Sequence, residues 1–332
     1  NQACLDHIFV GKAASCLVNP DACREYEPAA PASSAARNVA VVGAGPAGLA
    51  AATTLAERGH RVSLFDAAEH IGGQFNYARR IPGKEDFAET LRYFRTRLRE
   101  LNVTQQLGRT VQAGDLAGYD HVVLATGIIP RRPPIPGLDH PKVVSYIDVI
   151  EGRRPVGRKV ALIGAGGIGF DVAELLTHSG ESADPITAYR EEWGIDAAYT
   201  DNRGGLTPAR MPTPKRELWL LQRKTSKPGA GLAKTTGWAR SLLLKKRGVH
   251  MLSGVEYEGI DDAGLHVRVD GQARLLEVDT VVLCAGQEPR RDLVEGLNAA
   301  GMPFTLVGGA DAAAELDAKR AIWQATEFAR KF

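Results

Sequence analysis

The chain has 332 residues, 44% hydrophobic and 24% charged, with a net charge of +2. That is enough apolar material for two globular domains. The absence of a long block of one sign excludes a nucleic-acid groove or a polybasic membrane patch as the expected partner. No apolar run reaches the roughly 18 residues of a membrane-spanning helix, and four cysteines without a tight even framework fit a reducing, cytoplasmic setting.

The sequence begins at Asn1 without an initiator Met and without a charged-then-apolar leader pattern. Residues 1–26 form a lead that carries Cys4, Cys16 and Cys23. Two readings fit these thiols: soft-metal ligands for iron–sulfur or zinc, or simple buried side chains. Residues 27–36 are an Ala/Pro/Ser linker.

A strand is expected at Asn38–Val42, followed by Gly43, Gly45 and Gly48 in the G-x-G-x-x-G order and by an Ala-rich helix, Pro46–Glu57. In this fingerprint the first glycine permits the strand-to-helix turn. The second lets the backbone approach a pyrophosphate, and the third lets helix and strand pack closely. The helix N-terminus then offers free N–H groups and partial positive charge. A second strand, Arg61–Phe65, ends at Asp66, about 20 residues beyond the glycines, where a ribose-binding carboxylate is expected; the alternative for Asp66 is a solvated turn acid. An amphipathic helix is expected over 84–100, a strand over 121–127 ending in Thr126 and Gly127, and a Pro-rich crossover over 130–136.

The pattern then repeats. Strand Lys159–Ile163 leads into Gly164, Gly166, Gly167 and Gly169, and helix Gly167–Thr177 follows. After an insertion over 180–216 rich in Gly, Pro and Thr, the next strand, Glu217–Leu221, ends in Gln222, Arg223 and Lys224 instead of an acid. A basic pair attracts and hydrogen-bonds a 2′-phosphate that a carboxylate would repel, which favours NADPH over NADH; a solvated basic turn is the alternative. A meander is expected over 251–260, 264–269 and 273–278, and the strand over 280–285 returns the chain to the first domain. Residues 304–311 read as a strand ending in Gly308, Gly309, Ala310 and Asp311, with a helix running from there to about Arg330. Asp311 could accept from a ribityl hydroxyl or serve as that helix's N-cap.

Two dinucleotide folds in one chain can bring a nicotinamide to a flavin. Flavoproteins of this plan that reduce disulfides need a close cysteine pair, and no cysteine lies between Cys23 and Cys284. Disulfide reductase chemistry is therefore not expected, and Cys284, inside an apolar strand, reads as an inert buried thiol.

The whole chain resembles the C-terminal half of the bacterial-type NADPH-dependent 2,4-dienoyl-CoA reductases, iron–sulfur flavoproteins related to old yellow enzyme. The match runs through residues 1–4 and 15–20, the first fingerprint, 71–76, 81–85, 164–171, 192–196 and 204–208. Its most specific stretch is 221–238. The resemblance implies an α/β fold of two Rossmann-like dinucleotide-binding domains, the second inserted into the first. The FAD domain would be 37–150 plus 285–332, and the NADPH domain 151–284. Gly43, Gly45, Ala47 and Gly48 would hold the FAD pyrophosphate and Asp66 its adenosine ribose. Gly73, Gln74, Lys84 and Val111 would lie along the FAD, with Thr126, Gly127 and Asp311 toward the ribityl and flavin end. Gly164, Gly166, Gly167, Ile168 and Gly169 would hold the NADPH pyrophosphate, and Arg223 and Lys224 its 2′-phosphate.

The family places an FMN-binding (β/α)8 barrel first, then a [4Fe–4S] motif of the form C-x2-C-x3-C-x11-C. Cys4 and Cys16 match its third and fourth ligands, the first two being expected ahead of Asn1. The sequence lacks the barrel and with it the 2,4-dienoyl-CoA site, so it is expected to be part of a larger reductase. Within it the implied step is hydride transfer from NADPH to FAD. Competing readings are the module of a related enoate reductase or NADH oxidase, and an electron-transfer flavoprotein without NADPH turnover, as in trimethylamine dehydrogenase.

Overall fold

In the computed structural model, residues 2–28, 30–180, 184–199, 203–314 and 317–332 are described. Asn1 and parts of the 180–216 insertion therefore lie outside the described residues. The chain divides into two units, Asn1–Arg131 with Gly286–Phe332, and Arg132–Ala285.

The first unit is built on Asn38–Val42. Its residues alternate apolar on both faces, so it can be buried on both sides, and Val39, Ala40 and Val41 are fully buried. It pairs in parallel with Arg61–Phe65 on one side and with His121–Leu124 on the other. Thr104–Gln106 and Phe304–Leu306 complete a five-stranded parallel sheet at its two edges. The chain switches direction of travel at the central strand, which leaves a crevice beyond its C-terminal end. Helix Pro46–Glu57 starts at Pro46, whose missing N–H costs nothing in the first turn. Its Leu49, Ala51 and Leu55 are fully buried in one cluster with Ala325 and Ala329 of the C-terminal helix Ala318–Lys331. Each buried leucine is worth about 1.5–3 kcal/mol relative to exposure.

The second unit repeats this plan around Lys159–Ile163. Its sheet places Val143–Ser145 and Thr280–Leu283 on one side, and Glu217–Leu221 and His250–Leu252 on the other, all parallel. Beside it, Glu256–Ile260, Leu265–Val269 and Gln272–Leu276 form an antiparallel meander.

Three expectations need correction. The first unit ends at Arg131, not at residue 150, because Val143 and Val144 pair with Val281 and Val282 of the second sheet. Residues 250–252 belong to that sheet and not to the meander, since Met251 pairs with Leu220. The amphipathic helix begins at Phe87, not at 84, after a separate short turn of helix at Phe75–Ala78.

Candidate nucleotide-binding sites

Both fingerprints close on the same backbone bond. Gly43 N donates to Phe65 O at 2.7 Å, and Gly164 N donates to Leu221 O at 2.8 Å. Both glycines have positive φ, 110° and 116°. A Cβ on Gly43 would sit 2.2 Å from Ala125 O, and one on Gly164 2.2 Å from Cys284 O. At the third glycines the approach is closer still, 1.7 Å from Gly48 to Gly43 O and 1.9 Å from Gly169 to Gly164 O. Neither backbone tolerates a side chain there. The middle positions differ. A Cβ on Gly45 meets nothing nearer than Gly73 Cα at 3.9 Å, and Gly166 and Gly167 have nothing within 4 Å. Each loop is thus tight where helix meets strand and open where a pyrophosphate would lie, at the N-termini of helices Pro46–Glu57 and Gly167–Thr177. Ala47 and Ile168 occupy the first turns of those helices.

Around the first loop the structure gathers several expected residues. Asp66 takes Ala44 N at 2.6 Å on one carboxylate oxygen and Ala68 N at 2.8 Å on the other. Gly72 N donates to Ala44 O at 2.7 Å, and Gly73, at φ 48°, lies against Gly45, a Cβ on it reaching 2.9 Å from Gly45 Cα. Gln74 stands at the N-cap position of the short helix that follows. Thr126 Oγ1 donates to Arg290 O at 2.5 Å, and Gly127 O accepts from Arg290 N at 3.0 Å. Lys84 is half-buried in the turn after Ile81. Val111 buries its side chain in the core with Val42 and Phe65, so only its backbone can face a ligand.

Asp311 is differently placed from the expectation. No helix starts there: Gly308–Ala310 is one turn of 3-10 helix, and the C-terminal helix begins at Ala318 with Asp317 as its N-cap, accepting from Arg320 N at 2.7 Å. Asp311 is held from that helix instead. Gln324 accepts from Gly308 N at 2.8 Å and donates to Asp311 Oδ2 at 2.7 Å. Arg291 covers the same turn, donating to Ala310 O at 2.7 Å and to Asp311 O. Sequence reasoning missed Gln324 and Arg291; nothing in their local pattern sets them apart from other polar surface residues.

At the second loop, Arg223 and Lys224 are exposed at the end of Glu217–Leu221. Behind them, burial raises the pKa of Tyr257 against the opposing pull of Arg223. Burial likewise raises that of Cys284, whose N–H bonds Ile163 O at 2.8 Å beneath the loop, which disfavours the reactive thiolate. Helix Gly167–Thr177 is tied to helix Gly237–Lys246 by Arg240, which reaches Asp171 at 2.5 Å and Glu174 at 2.6 Å. Burial opposes the guanidinium charge, but the two carboxylates outweigh it and raise the Arg240 pKa.

Cys4 and Cys16 are half-buried and Cys23 is exposed. Among the described residues no group of three or more His, Cys, Asp or Glu could hold a metal ion. Two half-buried thiols do not make up the ligand set of a cluster by themselves.

Two Rossmann-like sheets, each with a glycine turn open for a pyrophosphate, define a protein of the two-dinucleotide class. The family model for pyridine nucleotide-disulphide oxidoreductases matches residues 37–319, and the chain belongs to that family. It is a flavoprotein oxidoreductase module, and the family implies FAD and a nicotinamide nucleotide. The family is named for a disulphide; in this sequence no cysteine lies between Cys23 and Cys284. A metal reductase of Desulforamulus reducens is 31% identical over 328 residues, covering 93% of this chain and 46% of the relative. An NADH oxidase of Thermoanaerobacter brockii is 35% identical over 181 residues, covering 52% of this chain and 28% of the relative. The solved structure of a 2-naphthoyl-CoA reductase with 2-naphthoyl-CoA shares the fold at a TM-score of 0.83 and 24% identity, covering 100% of this chain and 46% of that one. The chain thus spans about half the length, or less, of these proteins. No helix among the described residues is long and apolar enough to cross a membrane.

Proposed function

We propose that this chain is an NADPH:FAD electron-entry module of a longer reductase. The observation that carries the reading is the inequality of two otherwise matching cradles: the first ends its second strand in Asp66, the second in Gln222, Arg223 and Lys224. An acid suits two ribose hydroxyls and repels a 2′-phosphate; a basic pair does the reverse. The first cradle then takes FAD. Its Gly43–Gly48 turn and helix N-terminus would hold the pyrophosphate and Asp66 the ribose, with Thr126 and Gly127 beyond strand His121–Leu124 and Asp311 after the 308–310 turn toward the flavin. The second takes NADPH on Gly164–Gly169, with Arg223 and Lys224 on the 2′-phosphate. When bound, the two cofactors would supply the hydride transfer from nicotinamide to flavin. The residues of this chain bind and orient them and provide no general acid or base.

The onward acceptor in this reading lies outside the sequence. The resemblance along residues 221–238 supports a 2,4-dienoyl-CoA reductase, in which a barrel with FMN would carry the dienoyl-CoA and Cys4 and Cys16 would contribute two thiolates to a [4Fe–4S] cluster completed by further residues. Localisation in the cytoplasm belongs to the same proposal.

The test is equilibrium binding to the purified chain. Asp66→Ala should weaken FAD by about tenfold or more, the loss of a charge-assisted hydrogen-bond pair, and leave NADPH unchanged. Arg223→Ala should weaken NADPH and leave FAD unchanged. Crossed or equal effects would show that the assignment is wrong.

A further inference from the structure

The strand ends of the two units make matching backbone bonds, and these identify the counterpart of Asp66. Phe65 O accepts from Gly43 N, and the next residue, Asp66, donates its N–H to Gln106 O at 3.3 Å. Leu221 O accepts from Gly164 N, and the next residue, Gln222, donates its N–H to Leu252 O at 3.0 Å. Gln222, not Arg223, stands where the acid stands in the first unit.

Its side chain is turned back on its own loop. Gln222 Nε2 donates to Lys224 O at 3.1 Å and to Ser226 O. Gly254 N also donates to Lys224 O, and Val255 N to Gln222 O, each at 3.0 Å. The carbonyls of residues 222, 224 and 226 are therefore all turned onto donors. A phosphate cannot share a face with free carbonyl oxygens, whose partial negative charge repels it. Turning three of them onto donors leaves the outer face to the exposed side chains of Arg223 and Lys224. The amide is also neutral, so it adds no repulsion of its own.

We propose that Gln222 is the positioning residue for 2′-phosphate recognition, its amide clamping the 222–226 loop so that Arg223 and Lys224 face the ligand. This deepens the NADPH reading of the second cradle and rests on it. Selectivity then comes from a loop conformation as well as from two cations.

Calorimetric titration of the full chain with NADP+ and with NAD+ tests it. Gln222→Leu removes both amide donors without adding charge. It should weaken NADP+ about tenfold, the scale of one to two lost hydrogen bonds, and leave NAD+ within about twofold. Gln222→Glu sets a carboxylate against two carbonyls and the phosphate, and should weaken NADP+ further while sparing NAD+. Equal weakening of both ligands, or no change in either variant, overturns the clamp. Arg223→Ala separates this from the underlying reading. If it discriminates the two ligands and the Gln222 variants do not, the clamp alone fails; if it does not discriminate them, the NADPH assignment fails and the clamp with it.

Discussion

Alanine at Gly48 and at Gly45 should produce opposite defects, although the two positions lie in the same turn. Gly48 is in the first turn of helix Pro46–Glu57, where Gly→Ala would ordinarily stabilise by about 1 kcal/mol. Here the new Cβ would lie 1.7 Å from Gly43 O, far inside van der Waals contact, and the neighbour is backbone that cannot rotate away. The helix must shift off the sheet by more than an ångström. Overpacking of that kind costs on the order of 3 kcal/mol, which at roughly 2–4 °C per kcal/mol for a unit of this size lowers its Tm by about 6–12 °C. Gly45 has φ −77°, which any residue adopts, and its Cβ would be 3.9 Å from the nearest atom. Gly45→Ala should leave the Tm of the FAD-free protein within about 1 °C, since surface changes without a clash are within ±0.5 kcal/mol. The methyl instead fills the space a pyrophosphate needs, so FAD affinity should fall by at least about tenfold. Differential scanning fluorimetry on the FAD-free protein and flavin-fluorescence titration read the two effects separately. If Gly48→Ala keeps its Tm, or Gly45→Ala binds FAD like the parent, the geometric reasoning is refuted.

Other outcomes follow from the same structure. Arg240→Met strands Asp171 and Glu174 beside each other and should cost about 3 kcal/mol in chemical denaturation; a loss under 1 kcal/mol would mean that the pair is solvent-screened. His121, whose ring accepts or donates to Thr305 Oγ1 at 3.0 Å and packs on Phe332, has its pKa lowered by burial and then by Arg37. Burial, then Arg58 and Arg37, lowers that of His60 as well. A base with a depressed folded pKa contributes stability that is full above its ordinary value of 6.5 and is lost as pH falls below it, because the unfolded chain takes up the proton first. The Tm should therefore drop between pH 7 and 5.5, with a smaller drop in His121→Gln; an unchanged slope in the variant would remove His121 from the account. In native protein, Ellman's reagent should modify exposed Cys23 and spare Cys284, which should react once denaturant is added. Native reactivity lost in Cys284→Ser would contradict its burial.

The two fingerprint units were legible in the sequence because everything that defines them is local. Apolar strands of five residues, a glycine turn and an Ala-rich helix follow one another without a break, and the boundaries of Asn38–Val42, Pro46–Glu57, Lys159–Ile163 and Gly167–Thr177 stand as read. What local pattern could not carry depended on partners far along the chain. Val143–Ser145 is three residues long and owes its place to Thr280–Leu283, so local pattern alone sets the boundary between units too late. His250–Leu252 runs nearly into the meander, and only pairing with Trp219–Leu221 assigns it to the parallel sheet. The helix expected from Asp311 starts later because Asp317 caps it. The roles of Gln222 and Gln324 are hydrogen bonds of an amide to particular backbone groups, which no spacing reveals.

The flavin spectrum reports whether hydride enters at the second cradle and passes to FAD at the first. The chain, loaded with FAD and made anaerobic, is mixed with one equivalent of NADPH or of NADH in a stopped-flow spectrometer. NADPH should bleach the visible flavin band, faster than NADH at equal concentration, and Arg223→Ala should narrow the difference. A flavin that stays oxidised with NADPH would contradict that route.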